Sequence, residues 1–279
     1  MNSEISDRFR ALARRPEGQH GLAEGALVVA AEAQPGVDIE AGLRRIEELA
    51  ARARAQVESA VSPLRSVSAL NHWLFEVEGY RGNQEQYDDL RNSFLDQVLV
   101  RRRGLPITLS VLYVEIARQL GLEAYGVGFP GHFLAKVVGL GEGTQELIVD
   151  PFFGRILTLE DCMERLRAAA GEDVPFDPHW VRPATSSEIW IRMLNNLKLL
   201  YLRQGDGLSA LGCFDRILVL EPTAPYELRD RGLLLERLDC LHAAIEDLTA
   251  YLELAPRSED AGAIRIRRDA LVRRRPALN

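Results

Sequence analysis

Two side chains of the sequence, His132 and Asp150, have the chemistry of a general base and of the carboxylate that orients it. His132 falls near the start of one apparent strand, in GFPGHFLAKVVGL, and Asp150 falls at the end of the next, in ELIVDPF. In a catalytic triad the aspartate holds the imidazole, and the imidazole activates a nucleophile. The sequence therefore predicts that the two side chains pair, and it leaves the nucleophile to be found.

A buried histidine held by an aspartate can also serve the fold alone, by keeping two strands in register. Without a nucleophile, the pair His132 and Asp150 could still activate water or contact a ligand. A structural or ligand-binding role is favoured over catalysis until a nucleophile is identified.

The elements that must position this pair are one buried helix and a small sheet. Leu105-Pro106 leads into the strongly apolar segment ITLSVLYVEIARQL, which Gly121 is placed to end. Short runs rich in β-forming residues follow: AYGVGF, HFLAKVV, ELIVDPF and RILTL. The glycines of GLGEGTQ suit a hairpin-like connection between the second and third runs. A helix followed by an antiparallel sheet is an α+β arrangement and not a series of βαβ units.

Helices are predicted on both sides of this core. In the first hundred residues, Ser62-Pro63 reads as a cap and first turn of a helix with an apolar face from Leu64 to Val77, ended by Gly79. Ser93 reads as the cap of another short helix that runs to Arg102. We predict a first domain over residues 1–183 and a second over 184–279.

The second domain carries an internal repeat of 34 residues, the length of a tetratricopeptide repeat. The recurring positions are Tyr201, Ala210, Phe214 and Pro222, then Leu235, Ala244, Leu248 and Pro256. Lys198 stands where this repeat usually has glycine, and residues 261–273 would form a closing helix. Because two repeats bury little surface alone, we expect them to pack on the first domain and to bind a protein or peptide in a remaining groove.

Composition excludes several classes of function. A formal charge of −7 argues against a general nucleic-acid binder, and no apolar run approaches the length that spans a membrane. The start, MNSEISDRFR, lacks the apolar core of a secretory signal. Cys162, Cys213 and Cys240 form no CxxC pair, and the five histidines show no metal-binding spacing. We therefore expect a cytoplasmic protein without a metal or another cofactor.

Several segments in order resemble one bacterial family, which joins a transglutaminase-like, papain-like core to a short tetratricopeptide tail. The matching segments are LNHWLFEVEGYRGN, RNSFLDQVLVRRRGLPITLSVLYVEIARQLGL, FPGHFLAKV and IVDPFFG. In active members, the resemblance implies, a cysteine begins the core helix about fifteen residues before the glycine that ends it. Counting back from Gly121 reaches Pro106, which has no nucleophilic atom. All three cysteines follow His132, so the expected thiol is absent.

Ser110 is the alternative nucleophile, one helical turn beyond Pro106 on the same face. It would need His132 within hydrogen-bond reach. A serine inside a helix more often bonds to its own helix or fills space. The resemblance also implies that four polar residues line the cleft, although such residues commonly satisfy backbone groups in loops: Asn71, Asn83, Tyr87 and Asn92.

Two hypotheses of function follow from these observations. The first is a non-catalytic protein-interaction or regulatory module, with Pro106 in the position of the nucleophile. The second is a hydrolase or acyl-transfer enzyme that uses Ser110, His132 and Asp150. Some members of the resembling family carry a virulence-regulator label, but this acidic sequence shows no motif that reads DNA.

Overall fold

The computed structural model describes residues 3–16, 18, 21–60, 62–139, 146–171, 174–175 and 177–274. Residues 140–145, most of the predicted connection GLGEGTQ, lie outside this range. The chain divides into two units, Met1–Met193 and Leu194–Asn279. One helix, Ser186–Gln204, runs through that division. The boundary predicted between residues 183 and 184 therefore stays a prediction.

The first unit begins with helices whose starts follow simple capping chemistry. Asp38 accepts a hydrogen bond from the Ala41 amide, and Ser62 accepts one from the Arg65 amide ahead of Pro63. The predicted cap at Ser62 is thus present. These first four helices are α1 (Ser3–Ala13), α2 (Leu22–Ala33), α3 (Ile39–Glu58) and α4 (Pro63–Asn71).

A π-helix, His72–Val77, continues α4 and changes the predicted apolar face. The wider turn rotates the following side chains relative to an α-helix. As a result Val77, predicted on the buried face, is 56% exposed. The segment ends as expected at Gly79, whose φ of +76° lies in the left-handed region.

The next elements lead into the core helix. Two-residue strands β1 (Arg81–Gly82) and β2 (Arg103–Gly104) pair in parallel around helix α5 (Leu95–Arg101). The helix α6 (Pro106–Gln119) follows and is buried along most of its length, because α2, α3 and the sheet pack around it. It ends before Gly121, whose φ of +80° fits the predicted stop.

The sheet has four antiparallel strands in sequence order, which confirms the α+β prediction. The strands are β3 (Glu123–Val127), β4 (Leu134–Val138), β5 (Glu146–Asp150) and β6 (Arg155–Leu157). Ala135 on β4 lies opposite Val149 on β5. Helix α7 (Leu159–Ala170) follows β6 behind a capping box made by Thr158 and Asp161.

Helix α8 (Ser186–Gln204) starts with a second capping box. The Glu188 carboxylate accepts from the Thr185 amide at 2.8 Å, and the Thr185 hydroxyl accepts from the Glu188 amide at 3.2 Å. Arg182 also binds Glu188, through Nη1 at 3.0 Å. These contacts with Arg182 and Thr185 lower the pKa of Glu188 from 4.5 to about 2.

Replacing Glu188 by glutamine should make stability less dependent on pH in acid. A depressed pKa means that the carboxylate stabilises the fold above pH 4.5 and stops doing so as the pH falls to about 2. Because the side chain is 39% exposed, we expect a loss of about 1 kcal/mol or less at neutral pH. Denaturant unfolding of both proteins between pH 7 and pH 2 should show the difference shrinking. The exposed Glu47→Gln is the control, and parallel curves for wild type and Glu188→Gln would contradict the prediction.

The second unit contains the predicted repeats. Its helices are the end of α8, then α9 (Gly207–Leu220), α10 (Pro225–Arg237), α11 (Leu241–Leu254) and the closing α12 (Ala261–Arg274). Ala210 and Ala244 are fully buried, as small residues at close crossings must be. A Cβ on Gly232 would meet Leu248 at 2.9 Å. The repeat pattern in the sequence is thus confirmed as helical pairs.

Lys198 explains how one repeat tolerates the loss of its usual glycine. Its ammonium lies 4.6 Å from the centre of the Phe214 ring and bonds to both carboxylate oxygens of Glu227, at 2.8 and 2.7 Å. The charge of this buried side chain is therefore neutralised by a carboxylate and also stabilised by the face of an aromatic ring.

Cys162, Cys213 and Cys240 are thiols and form no disulfide. None of the described helices has the length and apolar character needed to cross a membrane.

Candidate functional site

A tight turn, not a strand, presents His132. The His132 amide donates to the Phe129 carbonyl at 3.1 Å across Pro130 and Gly131, and Gly131 has a φ of +68°. Proline second and a left-handed glycine third are the requirements of a type II turn. The prediction that His132 lies on a strand is therefore wrong, because β4 begins only at Leu134.

Asp150, the last residue of β5, is completely buried and organises the next turn. Its Oδ1 accepts from the amides of Phe152 and Phe153, at 3.0 and 3.3 Å. Its own carbonyl accepts from the Gly154 amide at 2.8 Å. An aspartate that bonds to amides two and three residues ahead fixes a local turn, so Asp150 has a structural role whatever else it does.

The imidazole of His132 pairs with this same carboxylate oxygen. Nε2 of His132 lies 3.1 Å from Oδ1 of Asp150, and the histidine side chain is 13% exposed. The ring also meets Phe152 edge-on at 6.0 Å and lies over Phe153 at 6.2 Å. Nδ1 has no hydrogen bond to any residue that the structure describes. The pairing predicted from the sequence is present, and Nδ1 is the nitrogen left for chemistry.

Arg165 on α7 is a partner of the aspartate that sequence reasoning missed. Its Nη2 lies 2.5 Å from Oδ2 of Asp150, and its guanidinium lies 5.2 Å from the centre of the Phe153 ring. The contact is an ion pair without hydrogen-bond alignment, since neither Oδ2 nor Arg165 Nε has a hydrogen-bond partner among the described residues. Asp150 thus divides one negative charge between a histidine and an arginine.

Pro106 and Ser110, the two residues that the sequence analysis connects with the nucleophile, both lie on α6. Pro106 is the first residue of α6, as predicted, and is buried. Ser110 is also fully buried, and its hydroxyl donates to the Phe133 carbonyl at 3.4 Å. The described residues include no hydrogen bond between Ser110 and His132.

The polar residues predicted to line a cleft mostly bond to one another and to backbone. Asn83 donates to Oδ1 of the buried Asn92 at 3.0 Å. Asn92 in turn donates to the carbonyls of Gln86 and Tyr87, at 2.6 and 3.2 Å. These amides therefore fold the loop before α5. Asn71 is separate: it is buried, and its Oδ1 has no hydrogen-bond partner among the described residues.

Tyr87 connects this loop to the histidine. Its ring meets Phe152 edge-on at 6.0 Å, and Phe152 in turn contacts His132. Burial raises the pKa of the Tyr87 phenol, while the positive charge of Arg192 opposes that rise. Among the predicted cleft residues, Tyr87 therefore contacts the aromatic rings that surround His132.

Ser93 does not cap the helix that follows it. The residue at that position is Phe94, which makes no side-chain capping bond, and Ser93 belongs to a preceding 3-10 turn. Its hydroxyl is buried without a hydrogen-bond partner among the described residues. The prediction of a serine cap is wrong because the turn Leu90–Ser93 moves the helix start forward.

Arg192 on α8 is a second residue of the site that the sequence did not predict, and it bonds to the backbone of the turn that carries His132. Its Nη2 donates to the carbonyls of Phe129 and His132, at 3.2 and 2.7 Å, and its guanidinium lies 5.3 Å from the centre of the Phe133 ring. Burial lowers the pKa of Arg192. A basic residue sixty positions after His132 gives no sequence signal for such a contact.

The arrangement can orient an imidazole through Asp150, and among the described residues neither Ser110 nor a cysteine is hydrogen-bonded to that imidazole. Among the described residues, no three His, Cys, Asp or Glu side chains come together as metal ligands. His132 can exchange a proton or make a hydrogen bond through Nδ1, and the rings of Phe152 and Phe153 lie beside it.

Comparison with known proteins bears on this site. A family model described as the transglutaminase-like superfamily matches residues 40–195, and a tetratricopeptide repeat model matches residues 197–269. A UPF0162 protein of Xylella fastidiosa (strain 9a5c) is 39% identical over 88% of this chain and 87% of its own. UPF0162 proteins of Vibrio cholerae and Pseudomonas aeruginosa are 30% and 31% identical, over 90% and 84% of this chain and 92% and 84% of theirs. No solved structure matched the chain significantly.

Proposed function

The chain belongs to the transglutaminase-like superfamily and carries tetratricopeptide repeats after that domain, and from this premise we propose that it is a non-catalytic interaction module. Pro106 takes the place that active members give to the nucleophilic cysteine. The repeats bind a protein or peptide, and the domain with His132 contributes a binding or regulatory surface. Thiols at all three cysteines agree with a reducing, cytoplasmic setting.

The observation that carries this proposal is the chemistry at the start of α6. Pro106 has no atom that can attack a carbonyl, and it is well suited to a first helical turn because its missing N–H costs no hydrogen bond there. His132 and Asp150 keep the pairing that a triad needs, but both carboxylate oxygens of Asp150 are engaged by amides and by Arg165. The pair therefore supports a structural role or a ligand contact.

A hydrolase or acyl-transfer enzyme built on Ser110, His132 and Asp150 is the alternative. Ser110 counts against it, because a nucleophile must be reachable and must face its base. The hydroxyl is buried and donates to the Phe133 carbonyl, one residue beyond His132. The enzyme hypothesis would require that hydroxyl to leave this bond and turn toward the imidazole.

The equivalence of Pro106 with a nucleophile predicts a reactive thiol in the variant Pro106→Cys. A cysteine at a helix start beside a histidine has a depressed pKa, in a range of about 3.5–7.5, whereas an ordinary thiol titrates near about 8.5. We expect thiolate absorbance in Pro106→Cys to appear below neutral pH and to move upward when His132→Ala is added. The measurement uses a Cys240→Ser background, and Val100→Cys, 80% exposed, is the ordinary control thiol.

Two results would overturn the non-catalytic proposal. A Pro106→Cys thiol that titrates like Val100→Cys, with or without His132, would remove the equivalence of position. A fluorophosphonate adduct on Ser110 of the unmodified protein, found by peptide mass spectrometry and lost in His132→Ala, would support the enzyme instead. We expect no such adduct.

The interaction half of the proposal is tested by copurification from the native bacterium. The full chain is compared with a chain that lacks residues 194–279, each immobilised at the same density. A protein partner retained by the full chain and lost with the repeats is the expected outcome. Retention that does not depend on the repeats would place the interaction elsewhere.

A further inference from the structure

A cavity of about 240 Å³ lies between Gly128 and Phe133 on either side of the histidine turn, the segment 179–184 and the start of α8. Its walls include the aromatic rings of Phe133 and Trp180, and its polar groups include Arg182, Glu188 and Arg192. Since an apolar cavity of about 150 Å³ can hold benzene, this volume is room for one small organic molecule. The volume and the aromatic walls favour a flat apolar group over an extended chain.

Arg192 brings a positive charge to this cavity without an acidic partner. No carboxylate of the described residues forms an ion pair with it, and its two hydrogen bonds are to the Phe129 and His132 carbonyls. Both use Nη2, so Nε and Nη1 have no hydrogen-bond partner among the described residues. A guanidinium in this state gains from any anion that reaches it, since burying an unneutralised charge is costly.

The other charges around the cavity do not cancel this one. Glu188 lies one helical turn before Arg192, but it is held by Arg182 and by the Thr185 cap. His179 accepts a hydrogen bond from Nε of Arg182 at 3.2 Å. One arginine and one glutamate therefore neutralise each other, and the positive charge of Arg192 remains in excess.

Gly128 leaves the space beside that charge open. A Cβ built there would meet one atom within 4 Å, Nη1 of Arg192, at 3.4 Å. Gly128 is not among the glycines with positive φ, so its backbone does not require glycine. The absence of a side chain at this position gives a ligand access to Nη1.

From this geometry we infer that the cavity binds a small organic carboxylate whose flat apolar part lies against Trp180 and Phe133 and whose carboxylate meets Arg192. The inference goes beyond the proposed function and does not depend on whether the domain is catalytic. Because Arg192 also holds the His132 carbonyl, occupancy of the cavity is coupled to the histidine turn. The shape of the site distinguishes this ligand from inorganic phosphate, which has no apolar part to bury.

The test is a ligand-observed NMR titration of the full chain with benzoate, benzamide and inorganic phosphate. Benzoate and benzamide have nearly the same shape and differ in charge. We expect benzoate to bind with a Kd on the order of 1 mM, and benzamide to bind at least about 10-fold more weakly, because a hydrogen bond between charged groups is about twice as strong as a neutral one. Phosphate should bind more weakly than benzoate.

Three variants locate the binding. Arg192→Met should weaken benzoate at least about 10-fold, as loss of the charge requires. Gly128→Val should weaken it similarly by filling the space beside Nη1, which is not one of the atoms that bond to the Phe129 and His132 carbonyls. Glu188→Gln should tighten it, because the variant removes a negative charge from the cavity wall. Thermal melting establishes that each variant is folded.

Several outcomes would overturn the inference. Benzoate that fails to bind at 20-fold the expected Kd, or that binds no better than benzamide, removes the carboxylate site. If phosphate binds as tightly as benzoate, the site binds anions in general, and the proposed selection of an apolar group is refuted. If Arg192→Met does not fold, Gly128→Val is the decisive variant. Unchanged benzoate binding by Gly128→Val would then refute the proposed site.

Discussion

Replacing Asp150 by alanine is expected to lower the free energy of unfolding by about 3–5 kcal/mol, the range found when one partner of a buried charge pair is removed. The carboxylate is fully buried and receives His132, the amides of Phe152 and Phe153, and the guanidinium of Arg165. Its loss leaves two amides without acceptors and a cation, 18% exposed, without its counter-charge. Chemical denaturation monitored by circular dichroism measures the change.

A double-mutant cycle measures how much of the loss of stability in Asp150→Ala comes from the contact with Arg165. Arg165→Met removes the charge that Asp150→Ala would strand while keeping an apolar chain of similar length, so the double variant should lose less than the sum of the single ones. The control is Asp7→Ala, whose carboxylate is 72% exposed and pairs with Arg10, and which should cost about 1 kcal/mol or less. Strict additivity of Asp150→Ala and Arg165→Met would contradict the buried ion pair.

This prediction also bears on function. If Asp150 were mainly a catalytic orienting group, its removal would leave the fold nearly intact and affect only activity. The contacts instead make it the centre of the turn between β5 and β6, which also places Phe152 and Phe153 beside His132. The same residue thus supports the fold and shapes the wall of rings that a ligand of His132 would meet.

The sequence predicts those parts of the site that depend on local patterns or on neighbouring strands, and it does not predict contacts made by side chains from distant helices. The core helix and four strands follow from apolar runs between Pro and Gly. The pairing of His132 with Asp150 follows from the adjacency of β4 and β5, because His132 lies just before β4 and Asp150 ends β5. The turn before β4 also has a local sequence signal, because Pro130-Gly131 supplies the proline and the left-handed glycine that a type II turn requires.

The arginines could not be predicted in the same way. Arg165 and Arg192 reach the site from α7 and α8, and their roles depend on how those helices pack against the sheet. The sequence contains many arginines, and local patterns such as capping and periodicity do not say which of them faces a buried carboxylate or carbonyl. The π-helix at His72–Val77 is similar, since nothing in its local sequence distinguishes it from the end of an α-helix.

Replacing Trp190 by alanine is the second substitution with a large expected effect, again about 3–5 kcal/mol, the typical cost of removing a buried aromatic side chain. Trp190 is fully buried in the first unit, and its indole N–H donates to the Leu22 carbonyl at 3.1 Å. The Phe9 ring lies 6.2 Å away. A Cβ on Gly25 would come within 2.1 Å of the indole, so α2 approaches the ring more closely than any other residue type would allow.

Because Trp190 contacts both α1 and α2, its removal should loosen these helices before the rest of the unit. Both helices precede residue 40, where the match to the superfamily model begins, so Trp190 fastens a segment outside that match to the domain. Hydrogen exchange of Trp190→Ala should therefore accelerate most in Ser3–Ala13 and Leu22–Ala33, with smaller changes in α6.

Two variants serve as controls for the effect of Trp190→Ala. Trp190→Phe keeps most of the side-chain volume and loses the hydrogen bond of the indole, so it should lower the free energy of unfolding by about 1–2 kcal/mol. The surface control Leu159→Ala, at a site 62% exposed, should change stability by about 0.5 kcal/mol or less. Uniform acceleration of exchange across the first unit would show that Trp190 stabilises the whole core and not α1 and α2 in particular. A loss of stability no larger than that of Leu159→Ala would show that Trp190 stabilises neither the core nor these two helices.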